Sequence, residues 1–161
     1  MTFTGHHERI LDEKNRLQIP SEYRKVVDPE RDGSGWYVIL GERRHTLALV
    51  TERRFEELAE RVGTESLSGP ESLDFEQRFF STACRIETDK QGRVVLPEYL
   101  TNMARLKGEV VLAGAKHRID IWRKKDFDAF MGIDWEHDWP DWQRFLRGPQ
   151  AKARAGAPDE S

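Results

Sequence analysis

Asp12-Glu-Lys-Asn-Arg-Leu-Gln-Ile-Pro20, "DEKNRLQIP", returns 77 positions later as Asp89-Lys-Gln-Gly-Arg-Val-Val-Leu-Pro97, "DKQGRVVLP". Asp12 meets Asp89, Arg16 meets Arg93, Ile19 meets Leu96 and Pro20 meets Pro97. Each copy sets a polar stretch before an apolar run and a proline, which reads as a tight turn, a strand and the start of a helix. Tyr23 with Leu100, Val26 with Met103 and Val27 with Ala104 continue the match. Their helical spacing predicts one apolar face on a short helix that Pro20 or Pro97 opens at its first position.

Beyond the helix the offset drops to 72, pairing Leu40 with Leu112, Leu47 with Ile119, Leu49 with Ile121 and Phe55 with Phe127. Asp28-Pro-Glu-Arg-Asp-Gly-Ser-Gly35, rich in turn formers, supplies the five extra residues as a loop. Val38-Ile-Leu40 and Leu47-Ala-Leu-Val50 read as two strands joined by a polar turn, as do Val110-Val-Leu112 and Ile119-Asp-Ile-Trp122. Thr51 can cap the helix that follows, with Phe55, Leu58, Ala59 and Val62 at helical spacing and Gly63 at its end. The second copy of that helix is shorter, with Phe127, Phe130 and Met131. The organisation expected is a first repeat over 1–63, a linker and connecting helix over 64–81, a second repeat over 82–131, and an extension over 132–161. The connecting helix spans Leu73 to Ser81, with Phe75 and Phe79 on one side. Two copies this small are best explained as pseudo-symmetric α+β halves that share a core, because each alone buries too little apolar surface.

Composition narrows the function classes. At 161 residues, 34% charged and 37% apolar, the chain suits one compact domain or two half-domains and excludes a long multidomain enzyme. The amino terminus lacks the basic start and apolar centre of a secretory signal, and no run approaches the roughly 18 apolar residues that span a bilayer, so a cytoplasmic protein without a membrane partner is expected. The lone Cys84, near Phe79 and Phe80, reads as a buried inert thiol. His6-His7 lacks the accompanying ligands of a zinc pattern, and neither a phosphate-binding Gly-rich loop nor a Gly-x-Ser-x-Gly elbow occurs. No catalytic constellation, metal or cofactor is predicted.

The repeated motif therefore carries the functional question. In a tight turn, Asp12 or Asp89 can accept backbone hydrogen bonds and leave Arg16 or Arg93 at the start of a strand. Gly92 supplies a residue able to take positive φ, and Asn15 is the next most tolerant type. One outcome is a solvated ion pair that merely holds the turn and is worth about 0 to 1 kcal/mol. The other is a binding tip, since arginine fits phosphate and guanine, and two related copies can straddle a duplex.

Phe3-Thr-Gly-His-His7, the two nine-residue stretches, Val110-Val-Leu-Ala-Gly114 and Ile119-Asp-Ile-Trp122 resemble the MraZ family of bacterial transcriptional regulators over about residues 1–131. The resemblance implies a double-split β-α-β fold related to the swapped-hairpin barrels of AbrB-type transcription factors. It also implies a ring-shaped homo-oligomer bound to double-stranded DNA at promoter repeats of a division and cell-wall gene cluster, hence association with the nucleoid. By the same carry-over Arg16 and Arg93 contact DNA, with Lys14, Asn15, Lys90 and Gln91 beside them, while Asp12, Asp89 and Gly92 shape the loops. The family's glycine is replaced by Asn15 in the first copy, and the lysine often found before it is replaced by Gln91 in the second.

Charge alone grips DNA weakly. The chain carries −3 overall; residues 9–24 hold four bases and three acids, and residues 85–98 hold three of each. Tethering several such loops in an oligomer raises avidity by about 10² to 10⁴ without improving any one contact. Arg43-Arg-His45 and Lys116-His-Arg118 form a second basic pair, read as solvated hairpin turns or auxiliary phosphate contacts. Trp135, Trp139, Trp142 and Phe145 make a helix-like stripe, either interrupted by Pro140 or followed by a helix that Pro140 begins, that packs on the body or a neighbouring subunit, and residues 148–161 read as a disordered tail. Two other classes compete: an AbrB-like antitoxin that binds a protein partner and its own promoter, and a hydrolase with an unrecognised site.

Overall fold

The computed structural model describes residues 1–62 and 69–147. The first copy runs β1 (His6–Leu11), β2 (Arg16–Gln18), α1 (Ser21–Val26), α2 (Pro29–Asp32), β3 (Trp36–Leu40), β4 (Thr46–Thr51) and α3 (Glu52–Arg61). After α4 (Pro70–Thr82), the second runs β5 (Cys84–Ile86), β6 (Arg93–Val95), α5 (Glu98–Ala104), β7 (Gly108–Gly114), β8 (Ile119–Arg123) and α6 (Lys124–Met131). One unit, Met1–Asp128, holds the first copy and the second as far as α6, and a second unit, Ala129–Ser161, takes the last residues of α6 together with α7 (Trp142–Arg147). The class is α+β.

Six antiparallel strands form one sheet in the order β1-β7-β8-β4-β3-β5. Exchanging each strand for its counterpart in the other copy, β1 for β5, β3 for β7 and β4 for β8, reverses that order and leaves the sheet unchanged. At its centre Leu47 faces Ile121 and Leu49 faces Ile119, about the pair Ala48–Asp120, which are one position at offset 72. The first strand of each copy is given to the other: β1 pairs with β7, and β5 pairs with β3. A separate two-stranded ribbon, β2 with β6, repeats the relation about Leu17–Val94.

Alternation along the strands explains the layers, because successive side chains point to opposite faces. Val38, Leu47, Leu49, Ile119 and Ile121 turn to one side and meet Leu17, Ile19, Val94, Leu96, Tyr23 and Leu100 from the ribbon, α1 and α5. Ile39, Ala48 and Val50 turn to the other, against Phe55, Leu58 and Phe79. Val111 and Trp122 likewise meet Phe127 on α6. All six residues of β4 are consequently buried.

Several local expectations are met and several are corrected. Thr51 accepts at its hydroxyl from Arg54 N–H at 3.3 Å and caps α3, whose Phe55 stacks on Tyr37 at 3.9 Å between centroids. Pro20 and Pro97 stand one residue earlier than expected, at the caps of α1 and α5, with the extended ψ of 140° and 134° that a chain leaving a strand requires. Of the matched helical set, Tyr23, Leu100 and Ala104 are buried, whereas Met103 is 52% exposed. Its counterpart Val26 packs half-buried against the core, so the two short helices differ at this position. Residues 28–35 are not a plain loop: they include the turn of helix α2, capped by Asp28 accepting from Glu30 N–H at 3.0 Å. Asp32 is buried there, accepting from Asp28 N–H at 2.9 Å and pairing with Arg31 at 2.8 Å. Helix α4 is longer than expected because Pro70 adds an opening turn, and Phe79 reaches Phe55 at 6.2 Å. Cys84 is half-buried on β5 beside Val38, not deeply buried. Gly63, the linker residues to 68 and the tail from 148 lie outside the described residues. No described helix is long and apolar enough to cross a membrane.

Candidate nucleic-acid interface

The two Asp-x-x-x-Arg segments fold into the same turn. In the first, Asp12 Oδ1 accepts from the N–H groups of Lys14 (3.0 Å) and Arg16 (2.8 Å), while Oδ2 accepts from Arg16 Nε at 2.6 Å. In the second, Asp89 Oδ1 accepts from Gln91 (2.8 Å) and Arg93 (2.9 Å), and Oδ2 from Arg93 Nε at 3.0 Å. The fourth turn residue needs a left-handed backbone, supplied by Asn15 at φ 58° and Gly92 at φ 79°. The turns also lock into each other's strands, since Leu96 N–H donates to Asn15 C=O and Ile19 N–H to Gly92 C=O, at 2.8 and 3.0 Å.

The two readings of the acid and base are therefore not exclusive. Each aspartate both builds the turn and fixes its arginine by Nε, which leaves the Nη donors of a held guanidinium available. The backbone N–H of Arg16 is the foremost cause holding the Asp12 carboxyl below its ordinary range, and Arg93 N–H does the same for Asp89. Both loops thus keep an anionic anchor and an oriented cation at neutral pH.

Ribbon register brings the arginines together. Arg16 faces Val95 and Gln18 faces Arg93, so these four share one face, opposite the buried Leu17 and Val94. Two residues of strand and one strand spacing, about 7 Å by about 5 Å, separate Arg16 from Arg93. Their side chains are 38% and 34% exposed. Lys14, Lys90 and Gln91 are exposed on the tips, Asn15 is half-buried, and Gly92 is buried under the Arg24 guanidinium, whose Cζ lies 2.6 Å from where a Cβ would stand. Sequence reading missed Gln18, whose Nε2 donates to Gln91 C=O at 2.8 Å and ties the second tip to the first strand. It also missed Arg24. Gln18's signal was its alternation with Arg16 on a strand of known inner residue; nothing local marked Arg24.

The other candidates hold different places. Arg43 lies 5.4 Å from the Trp122 ring centroid, His45 Nδ1 is 3.0 Å from Arg123, and Arg118 pairs with Asp120 at 2.9 Å. His6 and His7 sit on β1 against Phe127 and Tyr23. Among the described residues no group of three His, Cys, Asp or Glu is arranged for a metal ion. In the second unit Trp139, Trp142 and Phe145 are well exposed, and Trp135 donates to Met131 C=O at 3.3 Å. Within α7 only Trp142 and Phe145 of the expected stripe are helical, because Pro140 precedes the helix start.

Fold and site together define a class: an α+β protein of two interlocked copies that offers paired arginine turns on one exposed ribbon face. Comparison with known proteins gives the family. A family model described as "MraZ protein, putative antitoxin-like" matches residues 79–138. A protein of Mycoplasmopsis pulmonis named transcriptional regulator MraZ is 32% identical over 132 residues, covering 81% of this chain and 84% of that one. Proteins of the same name from Mesomycoplasma hyopneumoniae and Syntrophobacter fumaroxidans are 30% and 31% identical, covering 76% and 82% of this chain and 80% and 86% of theirs. The chain belongs to the MraZ family of transcriptional regulators, a family of regulators and not of enzymes.

Proposed function

We propose that this chain regulates transcription by binding duplex DNA through the ribbon face that carries Arg16 and Arg93. The observation behind this reading is that each guanidinium is held at Nε by its own aspartate and that both arginines stand on one ribbon face. A two-stranded ribbon fits the major groove, and arginine is the side chain best shaped for guanine there. Lys14, Asn15, Lys90 and Gln91 flank the reading pair; Asp12, Asp89 and Gly92 keep the loops in shape.

The sheet order and the exchanged first strands agree with a double-split β-α-β arrangement of the AbrB-related kind. The proposed working form is a ring of several copies on repeated promoter sites of a division and cell-wall gene cluster, at the nucleoid. Weak local charge supports an assembly over a lone copy, because linked contacts multiply affinity. The test is a gel shift on the DNA upstream of the protein's own reading frame, at stated salt. Replacing Arg16 and Arg93 together by alanine is expected to abolish the shift with oligomer size unchanged; retained binding refutes the assignment.

A second reading, an antitoxin that also holds a protein partner, is favoured by the exposed Trp139, Trp142 and Phe145. Co-purification from the native host with and without residues 132–161 separates the two.

A further inference from the structure

The two loops are alike in geometry and unlike in surroundings. Helix α1 backs the second loop, where Arg24 packs on Gly92 and bonds Ile19 C=O at 3.2 Å. Helix α5 backs the first. There the residue equivalent to Arg24 is Thr101, whose small side chain turns back to Glu98 C=O at 3.0 Å. The difference in side-chain volume coincides with an open groove of about 700 Å³ beside Asp12, Lys14 and Asn15, with Arg105 and Lys107 on its far wall.

The connections after the two helices have opposite charge. Between α5 and β7 lie Arg105, Leu106 and Lys107, with two bases and no acid; between α1 and β3, residues 28–35 contain Arg31 against Asp28, Glu30 and Asp32. The balance is +2 against −2. Arg105 takes φ 54° at the end of α5, a place that glycine or asparagine fills at least cost, and its backbone N–H already caps Asn102 and Thr101. Its long cationic side chain is not needed for that cap. Among the described residues neither Arg105 nor Lys107 has an ion pair. Glu13 and Glu98 share the groove, yet with Arg16 neutralising Asp12 the bases still exceed the acids by one. Burial first, then the charges of Arg123, Arg44 and Arg105, hold the His45 imidazole below its ordinary pKa.

We propose that the two loops grip DNA unequally, with Arg105 and Lys107 holding backbone phosphates beside Lys14 at the first loop only. The inference rests on the DNA-binding reading above and adds a polarity to it: each copy lies on its site in one preferred direction, with the tighter grip under the first loop.

The test measures binding of the full chain to a fluorescent duplex from its own upstream region across a salt series. Each lost phosphate contact makes the dependence of log affinity on log salt shallower by about 0.9. Arg105→Asn with Lys107→Gln keeps a left-handed residue at the helix end, and is expected to flatten the slope by about 2 per engaged first loop, with oligomer size unchanged. Lys14→Gln is expected to weaken binding more than Lys90→Gln. If the double variant disassembles, Lys107→Gln alone is read, with a flattening of about 1 expected. An unchanged slope, or equal losses from Lys14→Gln and Lys90→Gln, overturns the proposal. Failure of the unaltered protein to bind any duplex instead overturns the DNA reading itself.

Discussion

Leu17 faces Val94 across the β2–β6 ribbon, and the two are the same position of the two copies. Ala48 faces Asp120 at the centre of the large sheet in the same way. A strand pairing centred on a residue and its own counterpart is what a two-fold relation between halves produces, as at an isologous dimer interface. It also puts Arg16 and Arg93 on a common face, since residues two apart on antiparallel partners point the same way.

Leu17 is wholly buried under that face, and its loss opens a cavity between ribbon and sheet. Leu17→Ala is expected to lower stability by about 2 to 5 kcal/mol, seen as a lower urea midpoint with unchanged slope. A loss below about 1 kcal/mol means that the ribbon packs less tightly on the sheet than its burial indicates.

Because β1 belongs to the sheet half of the second copy and β5 to that of the first, neither copy can complete its sheet alone. Fragments 1–82 and 83–161 are each expected to lack a cooperative thermal transition by circular dichroism and to regain one when mixed. A cooperative melt of either fragment by itself contradicts the exchange of strands.

The carboxyls of Asp12 and Asp89 titrate below their ordinary value of 3.8, first because the Arg16 and Arg93 N–H groups donate to them. A depressed folded-state pKa contributes stability that is fully present above the unfolded value and disappears as pH falls through the folded one. The loops should therefore hold at pH 5 and loosen only below about pH 4. Side-chain carboxyl titration by NMR checks this, and a midpoint for either residue at or above its ordinary value rejects it.

Asn15 and Gly92 occupy the same left-handed turn position. Asn15→Gly is expected to change stability by less than about 1 kcal/mol, whereas Gly92→Ala costs about 1 to 2 kcal/mol, because an alanine there meets the backbone penalty and displaces Arg24. Thermal melts of the two variants compare these values directly. A loss from Asn15→Gly as large as that from Gly92→Ala would mean that the Asn15 side chain itself holds the first turn.

Much of the site was legible before any tertiary structure. An aspartate four residues before an arginine, with Asn15 or Gly92 between them, leaves the chain few turns other than the one observed. Thr51 before a helical apolar period similarly marked the start of α3. Less was visible where residue type alone did not single out the partner. Pro29–Asp32 form a helical turn in which Asp32 accepts from Asp28 N–H, and Met103 stands exposed where its counterpart Val26 packs on the core. Arg43 and Arg118, read as solvated or phosphate-binding, meet Trp122 and Asp120, partners 79 and 2 residues away. Gly92 was recognised for its φ, while the guanidinium above it came from another element.

The amino-acid sequence by itself determined the duplication, the strands and helices of each copy, and the two turns that orient Arg16 and Arg93, because these depend on hydrogen bonds and apolar spacing within a few residues. Only the tertiary structure decided which strand joins which half, that both arginines share one face, and that the two loops have unlike neighbours. Strands of similar apolar alternation can pair in several ways, and the choice is made by how the whole set closes over one core.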